Sequence, residues 1–328
     1  MPTSIDASGA TDVSKAFGSF VASVPNNATI TLRPGARYRM EETLVLANRH
    51  GLTVDGNGAT IFATTPGDRV RSNIKVIDSS NIAFKDLTVT GANPNAGMSD
   101  AAWVVAKEAQ HGFDVRSVAG FALSGVTVTD PYGDFVYLGR NEEAQWTSDV
   151  TIRDSRFQRN GRMGISMTAA TNVIIERNTF GQMRRATFDL EAHHPGFGAR
   201  YVTIRDNDIG QGRLALVAAV GTGDVSHFTF AGNRVARNLD ITMRSDEGAV
   251  HQDWKILDNT SSTQAGNPNL TAMAFEYIDG LEIHGNYQRF DTWRPMVGAR
   301  VDSSCNVNFG GNTYPGAVAQ GVLTGTSC

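Results

Sequence analysis

Short runs in which apolar and polar residues alternate recur along most of the chain. Six of them end in asparagine: Val173–Asn178, Val202–Asn207, Phe228–Asn233, Trp254–Asn259, Leu281–Asn286 and Val307–Asn312. These asparagines are 29, 26, 26, 27 and 26 residues apart, and degenerate copies begin upstream at Val150, Phe121 and Ile82. Alternation predicts a strand in each copy. Asparagine enters the left-handed backbone region and bonds neighbouring backbone groups, so it predicts the corner that follows each strand.

A period near 26 residues without helical spacing indicates a β-solenoid, in which each repeat adds one coil to a continuous core. The period disfavours leucine-rich and ankyrin-like solenoids, and the absence of hexapeptide runs disfavours a left-handed β-helix. We therefore predict an all-β, single-domain right-handed parallel β-helix over residues 1–328, with about nine to eleven coils at 28–312 and a C-terminal tail at 313–328. Stacked asparagines should form a ladder of amide hydrogen bonds.

The start of the chain has a different pattern. Apolar residues fall at helical spacing at Val13, Ala16, Phe17, Phe20, Val21 and Val24. This spacing predicts an amphipathic helix. We expect residues 1–27 to form a cap whose helix covers the open edge of the first coil.

Composition and charge restrict the environments and partners that are expected for this protein. Apolar residues make up 41% of the 328 residues, yet no apolar run is long enough to span a membrane. The net charge of −4 provides no basic stripe for nucleic acid. The N-terminus shows no charged segment followed by an apolar one, as a secretory leader would. Cys305 and Cys328 are placed to form a disulfide that restrains the C-terminal tail. We expect a secreted or extracellular protein.

The first coils carry a family resemblance. The run Asp6–Ile61, with Gly9–Asp12, Pro34–Gly35 and Asp55–Gly58, resembles the N-terminal cap and first coil of the pectate-lyase-like superfamily. The asparagine repeats resemble its later coils. This resemblance implies a parallel β-helix, monomeric or homotrimeric, that acts on or binds a polysaccharide or oligosaccharide. It does not identify the reaction, because polygalacturonases, lyases, epimerases, fructotransferases and phage tailspikes share the architecture.

A second set of strands aligns in register and predicts the functional face. Alternation points one column of side chains inward: Phe113, Val136, Ile165, Phe188, Ile241 and Met273. It points two columns outward: first Asp114, Tyr137, Ser166, Asp189, Thr242 and Ala274, and beside it Arg116, Gly139, Thr168, Glu191, Arg244 and Glu276. The coil at Leu214–Val217 has no assigned register. The outward columns predict a continuous polar strip.

Asp189 and Glu191 are the predicted catalytic pair. Carboxylates at positions i and i+2 of a strand lie ~6.6–7 Å apart, within the ~6.5–9.5 Å with which inverting glycosidases seat a water. Both residues should point outward, so their substitution should leave the fold intact. His193 follows them, and Asp134 lies at a loop-to-strand junction one or two coils away. Either residue can assist the pair as a further catalytic group.

Several residues are predicted to bind substrate. Arginine suits planar anionic groups, and Tyr137 can stack on a sugar ring. The predicted substrate-binding residues are Arg184, Tyr137, Arg162, Arg213, Arg244, Asp240 and Glu276. The segments from Gly91 to Gln110 and from Ser261 to Thr271 interrupt the coil spacing and should wall a groove, whereas the tryptophans Trp103, Trp146 and Trp293 should serve loop packing.

The resemblance leaves the reaction open. The paired aspartates, Gly-His-Gly and Arg-Ile-Lys runs of polygalacturonases are missing, as is the Asp-Pro-His-Asp run of alginate epimerases. We predict a glycoside hydrolase that needs no cofactor or metal. One alternative is a uronate lyase in which Asp189, Glu191 and Asp134 bind Ca²⁺ while an arginine or lysine abstracts a proton. The other is a non-catalytic, tailspike-like or adhesive solenoid.

Overall fold

The structure, a computed structural model, describes residues 1–142, 145–236, 239–244, 251–262, 271–289, 297–315, 317 and 319–325. The side chains of residues 244, 262 and 271 lie outside this description. Within these ranges, one α-helix, α1 (Ser14–Ser23), and two short 3-10 helices, Asp100–Ala102 and Val105–Lys107, accompany many short strands.

In chain order the strands of the described residues are β1 (Ser8–Asp12), β2 (Thr29–Thr31), β3 (Arg37–Arg39), β4 (Leu44–Ala47), β5 (Thr53–Asp55), β6 (Thr60–Phe62), β7 (Ile74–Lys85), β8 (Thr88–Thr90), β9 (Phe113–Ser124), β10 (Thr127–Thr129), β11 (Val136–Gly139), β12 (Thr147–Arg153), β13 (Arg156–Gln158), β14 (Ile165–Met167), β15 (Ala169–Glu176) and β16 (Thr179–Gly181). They continue as β17 (Phe188–Glu191), β18 (Gly198–Arg205), β19 (Asp208–Ile209), β20 (Val217–Val220), β21 (Asp224–Ala231), β22 (Arg234–Val235), β23 (Ile241–Arg244), β24 (His251–Leu257), β25 (Thr260–Ser262), β26 (Thr271–Glu276), β27 (Ile278–His284), β28 (Tyr287–Arg289), β29 (Val297–Asp302), β30 (Cys305–Gly310) and β31 (Ala319–Thr324).

These strands stack in parallel into three sheets. Sheet A contains β1, β3, β6, β8, β10, β13, β16, β19, β22, β25 and β28. Sheet B contains β4, β7, β9, β11, β14, β17, β20, β23, β26, β29 and β31, and sheet C contains β2, β5, β7, β9, β12, β15, β18, β21, β24, β27 and β30. The long strands β7 and β9 pass from sheet B into sheet C through Asp78 and Ser117, whose φ angles are 48° and 53°. The predicted all-β parallel β-helix is confirmed.

The core lies inside the coils, as the alternation predicts. Every side chain of the predicted inward column is fully buried: Phe113, Val136, Ile165, Phe188, Ile241 and Met273. Aromatic rings also stack between coils, with the centroids of Phe157 and Phe180 4.9 Å apart. Burial of apolar surface along one continuous core is the main stabilising term of such a solenoid.

The predicted asparagine ladder is present. Each Nδ2 donates to Oδ1 of the next asparagine, at 3.1, 3.0, 3.0, 2.9 and 2.9 Å from Asn178 to Asn312. The same Oδ1 also accepts the preceding asparagine's backbone N–H, at 3.0 Å from Asn207 to Asn233. The ladder therefore satisfies buried polar groups at one corner of each coil.

A capping helix was predicted near the N-terminus and a disulfide near the C-terminus. In the predicted cap helix, Phe17 and Val21 are buried, and the Phe17 ring packs edge-on against Tyr38 at 5.1 Å. Cys305 is disulfide-bonded. Cys328 and Trp293 lie outside the described residues. Within the described part of the chain, no helix is long and apolar enough to cross a membrane.

Candidate active site

The outer face of sheet B carries the predicted polar strip. Asp114, Tyr137, Ser166 and Asp189 pair in register from β9 to β17, which confirms that part of the outward column. The column continues through Ala218 to Thr242 and Ala274, so β20 supplies the coil that had no assigned register.

Asp189 and Glu191 lie side by side on β17 but differ from the prediction in two ways. Their exposed fractions are only 6% and 9%, although both project from the outer face. Their carboxyl groups are also hydrogen-bonded to each other, so they lie closer together than the ~6.5–9.5 Å expected for seating a water between them. Strand geometry sets the spacing of the backbone, whereas the direction of each side chain depends on its neighbours.

The two carboxyl groups differ in proton affinity. Burial raises the pKa of Asp189 to about 8, and the neighbouring Glu191 adds to this shift. Burial also acts against ionisation of Glu191, but the Arg162 guanidinium and the hydrogen bond from Asp189 outweigh it and hold the Glu191 pKa below its usual range. At neutral pH Asp189 therefore carries a proton and Glu191 a negative charge.

Arg162 links the pair to a neighbouring coil. Its Nη1 donates to Asp134 Oδ2 at 2.8 Å, and its Nη2 donates to Glu191 Oε1. Its Nε lies 3.8 Å from Glu108 Oε2. Nη1 also lies 3.4 Å from Ser166 Oγ. The arginine predicted to bind substrate is thus surrounded by protein acceptors.

Asp134 is fully buried beneath this strip. Its Oδ1 accepts the Met163 backbone N–H at 2.9 Å, and its own N–H donates to His111 Nδ1 at 3.1 Å. His111 Nδ1 therefore acts as an acceptor, and burial lowers the pKa of this histidine, so the ring is neutral. Because no part of Asp134 is exposed, it reaches a substrate only through Arg162.

Tyr137 is held from several sides. Its ring stacks on His111 at 4.9 Å, the Arg116 guanidinium lies 4.6 Å from the ring centroid, and its hydroxyl pairs with Thr168 Oγ1 at 2.9 Å. Arg116 in turn donates to Asp114 at 2.7 Å. Tyr137 is therefore only partly exposed in the strip.

A cleft of about 430 Å³ opens beside Glu191. Its lining is formed by Tyr137, Thr168, Glu191, His193, His194 and Phe197. The exposed His193 lies beside Glu191 and acts to lower the pKa of that carboxyl group. The structure therefore brings His193 to the predicted pair. Trp146 is bonded to the same segment, since its Nε1 donates to Gly196 O at 3.2 Å.

The segment from Gly91 to Gln110 approaches the strip at Glu108, which lies near Arg162. Arg184 Nη2 donates to Asp100 Oδ1 at 2.8 Å, and Arg213 Nη2 donates to Asp100 Oδ2 at 3.2 Å. The Arg185 guanidinium lies 4.6 Å from the centroid of Trp103. Arg184 and Arg213 thus both hold this loop through Asp100, and their predicted role in substrate binding stays a prediction.

The remaining predicted residues lie farther along the solenoid. Arg244 pairs in register with Val220, the neighbour of Glu191, but its side chain lies outside the described residues. Asp240 precedes β23, and Glu276 pairs with Asp302 near the C-terminal end of sheet B. Coils are ~4.8 Å apart, so Glu276 is too distant to touch Asp189 and Glu191.

The described residues do not fit a metal centre. Within them, no group of three or more histidine, cysteine, aspartate or glutamate side chains is arranged to hold a metal ion. Asp134 and Glu191, two of the oxygen ligands considered for Ca²⁺, are both bonded to Arg162. Arg162 therefore takes the place that a cation would occupy between them.

Sequence reasoning missed three residues of this site. His111 lies at the start of the segment His111–Val115, whose alternation was used to align the strands of the functional face. Histidine at that position was not chosen as a candidate site residue. Glu108 and Phe197 lie in irregular segments, for which a repeat carries no positional information. The one signal for His111 was its parity, because a residue two positions before the inward Phe113 falls on the inward side, where a histidine needs a polar partner.

Comparisons with known proteins agree with the architecture. The family model described as "Right handed beta helix region" matches residues 45–235 and 111–328. No curated protein sequence matches the chain. Among solved structures, a family 28 exopolygalacturonase from Yersinia enterocolitica is similar at 13% identity with a TM-score of 0.65, covering 98% of this chain and 76% of the other.

Two further solved structures have other roles. PfbA, a surface adhesin of Streptococcus pneumoniae, is 14% identical with a TM-score of 0.66, covering 98% of this chain and 91% of the adhesin. The tailspike protein of Acinetobacter baumannii phage AM24 is 12% identical with a TM-score of 0.63, covering 97% and 53%. Identities this low establish a shared fold only. Because the family model matches most of the sequence, the chain belongs to the right-handed β-helix family.

Proposed function

We propose that this protein hydrolyses glycosidic bonds in a polysaccharide or oligosaccharide that lies along the outer face of sheet B. The observation that carries the proposal is the pair of buried, hydrogen-bonded carboxyl groups, Asp189 and Glu191, beside an open cleft. One carboxyl is protonated and the other ionised at the same pH, which is what general acid and base catalysis require.

In this mechanism each carboxyl has one task. Asp189 donates its proton to the glycosidic oxygen as the bond between that oxygen and the anomeric carbon breaks. Once the bound substrate has replaced the hydrogen bond between the two carboxyl groups, Glu191 accepts a proton from a water in the cleft, and the oxygen of this water forms the new bond to the anomeric carbon. The proton lost by Asp189 and the proton gained by Glu191 balance, and each cleavage adds one water to the products.

The geometry supports hydrolysis better than the lyase alternative. A lyase needs a basic side chain that gives up its proton before it attacks the substrate. Asp134 and Glu191 raise the pKa of Arg162 further, so this arginine holds its proton more tightly than a free one. It is therefore a poor base for abstracting a proton from a uronate.

Product analysis on a panel of neutral and acidic polysaccharides tests the proposal. We expect products heavier by water, equally formed with and without chelator. Asp189→Asn should lower kcat by about 10²–10⁴, the usual contribution of a general acid. Asp208→Asn, on the exposed surface of sheet A where Asp208 pairs with Arg234, is the matched control and should keep full activity.

The pH profile adds an independent check on the roles. Asp189 must be protonated to act as the acid, so activity should fall as pH rises through about 8. Glu191 must be ionised, so activity should also fall in acid, below the ordinary range of a glutamate. Unsaturated, chelator-sensitive products would establish a lyase. Binding without cleavage of any polymer would favour the adhesive solenoid.

We also propose that the protein works outside the cell. An outer face that runs the length of the solenoid suits long polymers, which are mainly encountered there. Fractionation of the producing cells, with the protein detected in the medium or at the surface, would support this location, and recovery from the cytoplasm alone would contradict it.

A further inference from the structure

The five N–H groups of Arg162 are surrounded by protein acceptors on three sides. Asp134 lies at Nη1, Glu191 at Nη2 and Glu108 near Nε, and the side chain is 18% exposed. Arginine presents its donors in a rigid planar fork, so it can bridge two carboxylates in a way that lysine cannot. Most of the guanidinium N–H groups therefore face protein acceptors rather than a substrate.

The turn that contains Arg162 packs closely against the neighbouring coils. A Cβ on Gly161 would collide with the carbonyl oxygen of Tyr132, and a Cβ on Gly164 would collide with that of Thr187. The Arg162 carbonyl accepts the Arg185 N–H of the next coil at 2.9 Å. The two glycines thus let the turn pack tightly between neighbouring coils, which fixes where the guanidinium is presented.

We propose that Arg162 is a positioning residue, which keeps Glu191 ionised so that the single proton of the carboxyl pair stays on Asp189. This inference rests on the proposed function, because it explains how two adjacent acids acquire different roles. Asp134, fully buried, holds the guanidinium from the other side through Nη1 and thereby fixes its direction.

The charges around the pair are arranged for this role. Arg162 and the exposed His193 both act to lower the pKa of Glu191. Asp189 has the same guanidinium nearby, but burial and the negative charge of Glu191 outweigh it. Glu108 and Asp134 are the other acidic neighbours of Arg162, so one guanidinium is shared among three carboxylates. Without the guanidinium, Glu191 would compete with Asp189 for the proton.

Infrared spectroscopy of protonated carboxyl groups tests the inference without any substrate. In the unmodified protein, a band that is missing from Asp189→Asn should disappear as pH rises through about 8. In Arg162→Gln, the Glu191 carboxyl, identified by its loss in the double variant with Glu191→Gln, should take up its proton at a pH about one to three units higher than before. Arg234→Gln, which removes the same charge from the surface of sheet A, should change neither band.

Steady-state kinetics separate positioning from substrate binding. If Arg162 is a positioning residue, Arg162→Gln moves the acidic limb of the kcat profile upward and lowers kcat at least about tenfold, with KM changed less than about twofold. A raised KM with an unmoved infrared midpoint would show a substrate ligand instead and overturn the proposal.

Two further outcomes are decisive. If Arg162→Gln fails to fold by circular dichroism, Arg162→Lys replaces it, and a smaller shift in the same direction is expected because one ammonium cannot bridge both carboxylates; no shift in that variant refutes the role. If the unmodified protein cleaves no polymer, the proposed function fails, whereas the infrared titration still decides the role of Arg162.

Discussion

The Asp189 carboxyl links the site to stability. In the unfolded chain this group ionises near its ordinary value of 3.8, whereas in the folded protein it keeps its proton to about pH 8. Between these values the folded state binds the extra proton, so the free energy of unfolding must fall as pH rises. A raised carboxyl pKa therefore acts in the direction opposite to that of a salt-bridged aspartate, whose stabilising effect grows with pH.

Asp189→Asn should remove this dependence, because an amide cannot ionise. We expect the variant to gain stability relative to the unmodified protein between pH 5 and pH 9, as measured by urea denaturation at several pH values in that window. Asp208→Asn is the control, since it removes an exposed carboxylate from sheet A. Parallel curves for the Asp189→Asn variant and the unmodified protein would show that Asp189 is already ionised across the window.

At the scale of single elements, the asparagine ladder is the most repetitive polar feature. Replacing Asn233 by Ala removes the acceptor for the N–H and Nδ2 groups of Asn207 and the donor to Ile204 O. Buried groups left without partners cost ~1–3 kcal/mol each. We expect Asn233→Ala to lower the free energy of unfolding by ~3 kcal/mol or more in urea denaturation.

Asn312→Ala is the matched control for this prediction. Asn312 makes the same types of bond to Asn286 and Ile283, but it ends the described ladder and is only partly buried. Water can replace part of what is lost there, so the loss of stability should be smaller. Equal losses at both positions would mean that burial of the ladder contributes little.

The strands and the ladder were predictable because their signals are local. Alternation and the spacing of Asn178 to Asn312 both follow from the backbone geometry of one coil. The segment from Gly91 to Gln110 was predicted to wall a groove, but the residues that anchor it were not predicted. Asp100 meets Arg184 and Arg213 across 84 and 113 residues of sequence, and nothing local specifies such partners.

At the scale of the whole molecule, a solenoid is nearly one-dimensional, so each coil depends mainly on its neighbours. The cap helix protects the first coil with Phe17, which is fully buried against Tyr38. Phe17→Ala should cost ~3–5 kcal/mol, as for other fully buried phenylalanines.

Hydrogen exchange can locate the effect of Phe17→Ala. We expect faster exchange in the first coils, at β2 and β4, while β17 retains its protection because several coils separate it from the cap. Uniformly faster exchange along the described strands would show that the solenoid unfolds as one cooperative unit. Phe20→Ala, on the same helix but only partly buried, is the matched control and should have a smaller effect.

The site was predictable in outline only. Alternation along the aligned strands predicted that Asp189, Glu191 and Tyr137 lie on one face of the sheet, because alternation fixes which face a residue occupies. The roles of Arg162 and Asp134 were not accessible, since a buried ion pair between adjacent turns depends on side-chain direction and on close approach at Gly161 and Gly164. Long-range packing, not periodicity, decides which polar groups become chemically distinct.

The constant stacking of sheet B has a consequence for any long glycan bound along it. Neighbouring coils are ~4.8 Å apart, close to the advance of one hexose in an extended chain. Such a glycan would meet the column from Asp114 to Ala274 at about one sugar per coil, with the bond to be broken at the coil of Asp189. The number of coils on each side of Asp189 would then set the number of sugar-binding positions on each side of the cleaved bond. Inserting or deleting a whole coil would change that number without altering the coil that carries Asp189.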